Sequence, residues 1–188
     1  LLSFSRQHPM STSLVDIDLC VQNVDKLVRH TLPETLSLVY SLQISPALSN
    51  IDANQLQNAL LNLILNAKDA TDSRGRISVE TTIQTLDVHR AAELALPAGN
   101  FVCVSVRDDG CGMDAATRAR VFEPFFTTKG LGQGSGLGMS MVYGFARQSG
   151  GTVVVSSEPD DGTDVTLWLP LHEPLGRTEP VAAAPHNA

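Results

Sequence analysis

Residues 52–70 constrain this chain more than any other segment, because they read as a helix that is apolar nearly all round yet carries a line of amides. Asp52 opens the helix, with Gln55 three residues on, a variant of the capping box. Leu56, Leu60, Leu63, Ile64 and Ala67 form one apolar face, and Leu61 and Leu65 widen it, so the helix needs a neighbouring layer to cover it. Through it run Asn58, Asn62, Asn66 and Asp69, spaced i, i+4, i+8 and i+11, which places all four on one face. Asn is a poor helix former, and burying its amide without partners costs about 1–3 kcal/mol. A solvated face is usually built from Glu, Lys and Arg, so the stripe reads as a binding face, with ordinary solvation as the alternative.

Composition narrows the class. The 188 residues, 43% hydrophobic and 18% charged, suit one folded domain and exclude wholesale disorder or a coiled-coil rod. Thirteen Lys and Arg against twenty Asp and Glu give a net charge of −7, which excludes a fold held mainly to a nucleic-acid backbone. Backbone amides and a metal ion can still hold a small anion. Cys20, Cys103 and Cys111 show no C-x-x-C spacing, so neither a disulfide framework nor a zinc site is expected, and a reducing, cytoplasmic compartment is. No apolar run reaches the roughly 20 residues of a membrane span, so no membrane contact is expected of this segment. With no starting Met and no leader pattern, the chain is expected to be a piece of a longer protein.

Along the chain, residues 1–7 read as the end of a helix stopped by Pro9, 15–19 as a short strand and 21–30 as a helix. Residues 36–42 and 77–86 read as strands, the latter with Ile77, Val79, Thr81 and Ile83 on one face. An irregular stretch to Asn100 precedes a strand over 101–107, and 113–135 reads as loop with a short helix over 115–121. A helix over 137–148 stops at Gly150–Gly151, and strands over 153–156 and 163–169 flank a Pro-Asp-Asp-Gly turn. From His172 onward the composition is that of a tail or linker. This order predicts an α/β fold with a mixed sheet.

Two further features carry chemistry. Asp108-Asp-Gly110-Cys-Gly112 ends the 101–107 strand, so a rigid strand delivers a carboxylate beside two glycines, an arrangement suited to the edge of a planar polar ligand. An ordinary turn is the alternative. Gly130, Gly132, Gly134, Gly136 and Gly138 then alternate directly into the 137–148 helix, where unshielded amides and the helix N-terminus make an anion cradle. The register fits neither G-x-G-x-x-G nor a Walker A loop, since no lysine of this chain follows a glycine.

In order, these elements resemble the ATP-binding domain of sensor histidine kinases. Asn62-Leu-Ile-Leu-Asn66-Ala-Lys-Asp-Ala resembles the N box and Asp108-Asp-Gly110-Cys-Gly112 the G1 box. Phe122-Glu-Pro-Phe-Phe-Thr-Thr-Lys129 resembles the F box, Gly134-Ser-Gly136-Leu-Gly138 the G2 box, and Gly162-Thr163 the closing glycine element. The resemblance implies a Bergerat fold, a two-layer sandwich of a mixed sheet with helices on one face and a mobile ATP lid. It implies three parts: the end of a dimerisation and phosphoacceptor helix over 1–12, the ATP-binding domain over 13–171, and a flexible tail over 172–188.

By the same resemblance Asn66 holds Mg²⁺ bridging the ATP phosphates, Asn62 supports the phosphate end, and the two form the catalytic pair. Asp108 accepts a hydrogen bond from the adenine amino group. Phe126, Thr127, Thr128 and Lys129, with Gly132, Gly134, Ser135, Gly136, Leu137 and Gly138, form the lid and phosphate cradle, and Asp69, Gly110, Gly112 and Thr163 complete the nucleotide site. Many family members carry a basic residue where this chain has Asp69. Lys68, one position earlier, projects about 100° away, which passes the phosphate role to Lys129. The hydrolytic ATPases of the fold place a Glu at the position of Asn62. An amide cannot serve as general base for water, so transfer to a protein acceptor is expected instead.

By the same resemblance, that acceptor is a histidine on a preceding domain. His8, His30, His89 and His186 lack its sequence context, and His172-Glu173-Pro174 mimics it only locally. The implied partners are the dimerisation and phosphoacceptor domain of the same protein, a response-regulator receiver domain and a second copy of the parent. A regulatory module that binds ATP without transfer is the competing expectation.

Overall fold

The computed structural model describes residues 11–42, 46–130 and 134–172. The helix end expected over 1–7, the tail beyond His172 and Gly132 lie outside the described residues.

Asp16 decides how the chain enters the domain. Its Oδ1 accepts the backbone N–H groups of Asp18 and Leu19 at 3.1 and 3.4 Å, so strand β1 (Ser13–Asp16) stops there and helix α1 (Ile17–Val28) begins. The alternation of Val15, Ile17 and Leu19 that suggested a strand over 15–19 is overruled by this cap. Ile17, Cys20, Val21, Val24 and Val28 are buried at helical spacing, whereas Leu19 stands 54% exposed.

Strand β2 (Leu36–Leu42) has the expected bounds. The short strand β3 (Leu48–Ile51) was not foreseen; it pairs antiparallel with β1, and the Ser49 hydroxyl donates to the Pro170 carbonyl at 2.7 Å. Helix α2 (Ala53–Ala70) starts as expected, the Asp52 Oδ1 accepting from Asn54 and Gln55 N–H at 3.0 and 3.1 Å. Strand β4 (Gly75–Leu86) follows, then the unforeseen short helix α3 (Val88–Glu93), capped by the Asp87 carboxylate on Arg90 N–H at 2.8 Å. Strand β5 (Gly99–Asp108), helix α4 (Ala115–Arg120), helix α5 (Gly138–Gln148) and strands β6 (Thr152–Ser157) and β7 (Thr163–Pro170) complete the order.

The main sheet runs β2-β4-β5-β7-β6, with β2 and β4 parallel and every other pair antiparallel, the expected mixed sheet. One face carries Ile77, Val79, Val102, Val104, Val106, Val165, Leu167 and Leu169, all buried in one cluster with α1, α2 and α5. Each fully buried Leu or Ile there contributes roughly 1.5–3 kcal/mol. Ile83, expected on that face, is 42% exposed: β2 pairs with β4 only as far as Thr81, and nothing among the described residues covers this face of the strand at Ile83. The opposite face is not bare: Leu86, Ala91, Phe101 and Cys103 pack with Trp168 in a smaller cluster beneath α3. The long helices thus occupy one face as expected, and α3 adds a partial cover to the other.

Candidate functional site

The site lies along α2, which links two ends of different character. At its middle, Asn62 and Asn66 are half-buried, while Asn58 and Asp69 are exposed. Helix α5 starts against this pair. A Cβ built on Gly138 would stand 3.6 Å from the Asn62 Oδ1 and 3.8 Å from the Asn66 Nδ2. Leu137, at the N-cap of α5, gives its first turn no side-chain cap, so N–H groups of that turn stay available to a ligand beside the two amides. Amide oxygens, uncapped N–H groups and a helix dipole suit a phosphate chain with a hard cation, which takes oxygen ligands. The residues present fit a metal nucleotide.

At the other end β5 delivers Asp108, only 6% exposed. Its Oδ1 accepts the Gly110 N–H at 2.9 Å. Burial pushes this carboxyl above its ordinary value; backbone hydrogen bonds from Gly110 and Thr163 pull it down, and the neighbouring Asp109 and Asp164 add to the rise. A Cβ on Gly110 would meet the Ala70 carbonyl oxygen at 2.5 Å, and that carbonyl accepts the Cys111 N–H at 3.0 Å. The loop after β5 therefore caps the C-terminus of α2 and joins the two ends of the site.

The turn before β7 locks this end. Gly112 (φ +63°) and Gly162 (φ +75°) sit where a Cβ would run into the carbonyl oxygens of Glu158 and Asp108, respectively. Ser157 is buried between them. Its hydroxyl accepts from Met113 N–H at 2.8 Å, bonds the Gly162 carbonyl at 2.8 Å and lies 2.9 Å from the Thr163 hydroxyl. Arg118 of α4 donates to the Ser157 carbonyl. Neither Ser157 nor Arg118 was picked out from sequence, because a lone serine at a strand end and one arginine on a short helix carry no pattern.

Between the two ends lies the 113–138 stretch. The Phe125 N–H donates to the Gly136 carbonyl at 2.9 Å, both residues have φ +66°, and Phe125 stands 75% exposed. A positive φ at a phenylalanine is strained backbone held by its surroundings. Arg120 stacks over the Phe126 ring at 4.3 Å, and Phe122 packs on Tyr143 with ring centroids 5.1 Å apart. The Thr127 hydroxyl and the Lys129 stem lie 3.2 and 3.3 Å from a Cβ placed on Gly134. The Ser135 hydroxyl accepts the Leu137 N–H at 3.3 Å, and Thr128 is exposed. Lys129 Nζ pairs with the Asp69 carboxylate.

The structure thus brings Asn62, Asn66 and Gly138 together, joins Asp69 to Lys129, and gathers Asp108, Gly110, Gly112 and Thr163 at the far end. A hollow of about 360 Å³ lined by Arg76, Ser78, Arg107, Asp108, Asp109, Asp160 and Asp161 is a different place. Ser78 and Arg107 alternate away from Ile77 and Val106, so it opens on the opposite sheet face and shares only Asp108 with the site.

Fold and site together define an α/β nucleotide-binding domain. The family model of histidine kinase-, DNA gyrase B-, and HSP90-like ATPases matches residues 51–173, and the chain belongs to that family. Sensor kinase CckA of Brucella abortus (strain 2308) is 33% identical over 188 residues, covering 97% of this chain and 20% of CckA. The crystal structure of full-length ShkA in complex with AMPPNP matches with TM-score 0.67 and 26% identity, over 86% of this chain and 31% of that one. The catalytic domain of histidine kinase ThkA matches in fold with TM-score 0.70 at 22% identity, over 86% of this chain and 97% of that one. The chain is an ATP-binding domain of the sensor histidine kinase kind, and it spans about a fifth of the length of CckA. No helix among the described residues is long and apolar enough to cross a membrane.

Proposed function

We propose that this domain binds ATP with Mg²⁺ and presents the γ-phosphoryl group to a histidine on the dimerisation and phosphoacceptor domain of the same protein. The observation that carries this reading is the apposition of Asn62 and Asn66 to the uncapped first turn of α5, with the buried Asp108 carboxylate at the other end of α2. Asp108 accepts the adenine amino group, and Gly110, Gly112 and Thr163 frame that end. The first-turn amides of α5, with Gly134, Ser135, Gly136, Leu137 and Gly138, cradle the phosphates. Phe126, Thr127, Thr128 and Lys129 close over them. Asn66 offers the one protein oxygen to Mg²⁺, which when bound neutralises phosphate charge.

Asn62 gives the site its direction. Its amide orients but takes no proton, so water lacks a base at that position and an external nucleophile is required. The AMPPNP complex of ShkA supports the nucleotide assignment by kinship. Residues 13–171 form the ATP-binding domain on this reading, flanked by the acceptor-helix end over 1–12 and a tail over 172–188. The parent acts as a homodimer with this domain on the cytoplasmic side and passes the phosphoryl group on to a receiver domain. The test supplies the acceptor domain as a separate polypeptide. Alone, the chain should hydrolyse ATP very slowly; with the acceptor it should yield acid-labile, base-stable phosphohistidine. Brisk hydrolysis independent of the acceptor would overturn the reading.

A further inference from the structure

Asp69 places a negative charge three residues beyond Asn66 on the face that phosphates would approach. Unanswered, that carboxylate repels an anionic ligand. The structure answers it with Lys129, whose Nζ pairs with Asp69 across 60 residues of sequence. The two side chains are 33% and 45% exposed, so water screens the pair and its contribution to fold stability is small. Position is where the contact has leverage. The Lys129 stem runs beside Gly134, where an added Cβ would stand 3.3 Å from its Cδ, and its tip is held by α2. An ammonium has three N–H donors; one serves Asp69 and two remain for phosphate oxygens.

We propose that Asp69 is a positioning residue acting through Lys129: it holds the ammonium beside the Asn62–Asn66 stripe, aimed at the phosphate chain of the nucleotide. The inference rests on the ATP-site reading above and deepens it. The basic group at this stripe comes from the 122–129 loop and is steered by a carboxylate on α2.

The test measures phosphotransfer from Mg-ATP to a separately supplied acceptor domain, with AMP binding by calorimetry as a control. Asp69→Asn should lower kcat and kcat/KM together by about 10- to 100-fold, with KM for ATP within about twofold, the signature of an interaction realised in the transition state. Asp69→Glu, which keeps the carboxylate, should recover most of the rate. Lys129→Met and the double variant Asp69→Asn/Lys129→Met should be equally slow, because Asp69 has nothing left to position. AMP, which lacks the β- and γ-phosphates, should bind Asp69→Asn as it binds the wild type. A wild-type rate in Asp69→Asn overturns the proposal, as does a double variant slower than Lys129→Met by the full Asp69→Asn factor. A wild type that transfers no phosphoryl group to the acceptor overturns the ATP-site reading and the proposal with it.

Discussion

The two ends of the site are built differently. At the Asp108 end, backbone meets backbone: Gly110 lies on the Ala70 carbonyl, Gly112 on that of Glu158 and Gly162 on that of Asp108, with Ser157 buried among them. At the Lys129 end there is one such approach, Gly136 on Phe125, and around it lie a partly exposed ion pair, ring contacts of Arg120 with Phe126 and Phe122 with Tyr143, and an exposed Phe125 side chain. The first end is packed backbone against backbone at three glycines. The second is held by interactions that water can replace. On the proposed reading, the rigid end would read the base and the more exposed end would grip the phosphates.

The largest effect that can break this comparison is steric. Gly112→Ala and Gly162→Ala combine a positive φ with a backbone collision, and each should cost about 4 kcal/mol or more of stability in chemical denaturation. Ser157→Ala should cost about 1–3 kcal/mol, since the Met113 N–H and the Gly162 carbonyl lose a buried partner. Gly136→Ala on the other side also meets backbone, at Phe125, but exposed surroundings can shift, so its cost should be about 1–2 kcal/mol. Equal losses at Gly112 and Gly136 would erase the distinction.

What the sequence disclosed follows the same division. The Asp52 cap, the apolar face of α2 and the alternation in β4 and β5 are local signals of period 3.6 or 2, and those elements form where expected. The start of α1 was misread because Val15, Ile17 and Leu19 alternate as a strand would, while the Asp16 cap that ends the strand is a single residue within that alternation. Strand β3 and helix α3 were missed: four and six residues are too few to show a period, and both are held by distant partners, Ser49 by Pro170 and Ala91 by the Phe101 cluster. At the site, the Asn stripe and the glycine run were legible as unusual spacing. The Asp69–Lys129 pair was not, because which lysine meets which carboxylate is decided by the path of the intervening loop.

A smaller effect sharpens the Asp108 side. Burial raises its folded-state pKa above the roughly 3.9 of an unfolded aspartate, so between those values the folded state holds more protons than the unfolded chain. Stability contributed by this group is therefore present below the unfolded value and declines as pH rises through the interval. ATP affinity should move the other way, strengthening as Asp108 ionises and becomes the better acceptor. Denaturation and calorimetry across mildly acidic pH check both slopes, and Asp108→Asn should flatten them.

Asp108 and Asn66 should read opposite ends of the nucleotide. Calorimetric titration of Mg-ATP and of AMP into the wild type, Asp108→Ala and Asn66→Ala measures this. Both substitutions should weaken ATP by roughly 5- to 150-fold, the range set by losing one well-oriented polar contact. AMP should weaken with Asp108→Ala alone and bind Asn66→Ala as it binds the wild type. ATP binding at wild-type strength in both variants would contradict the site.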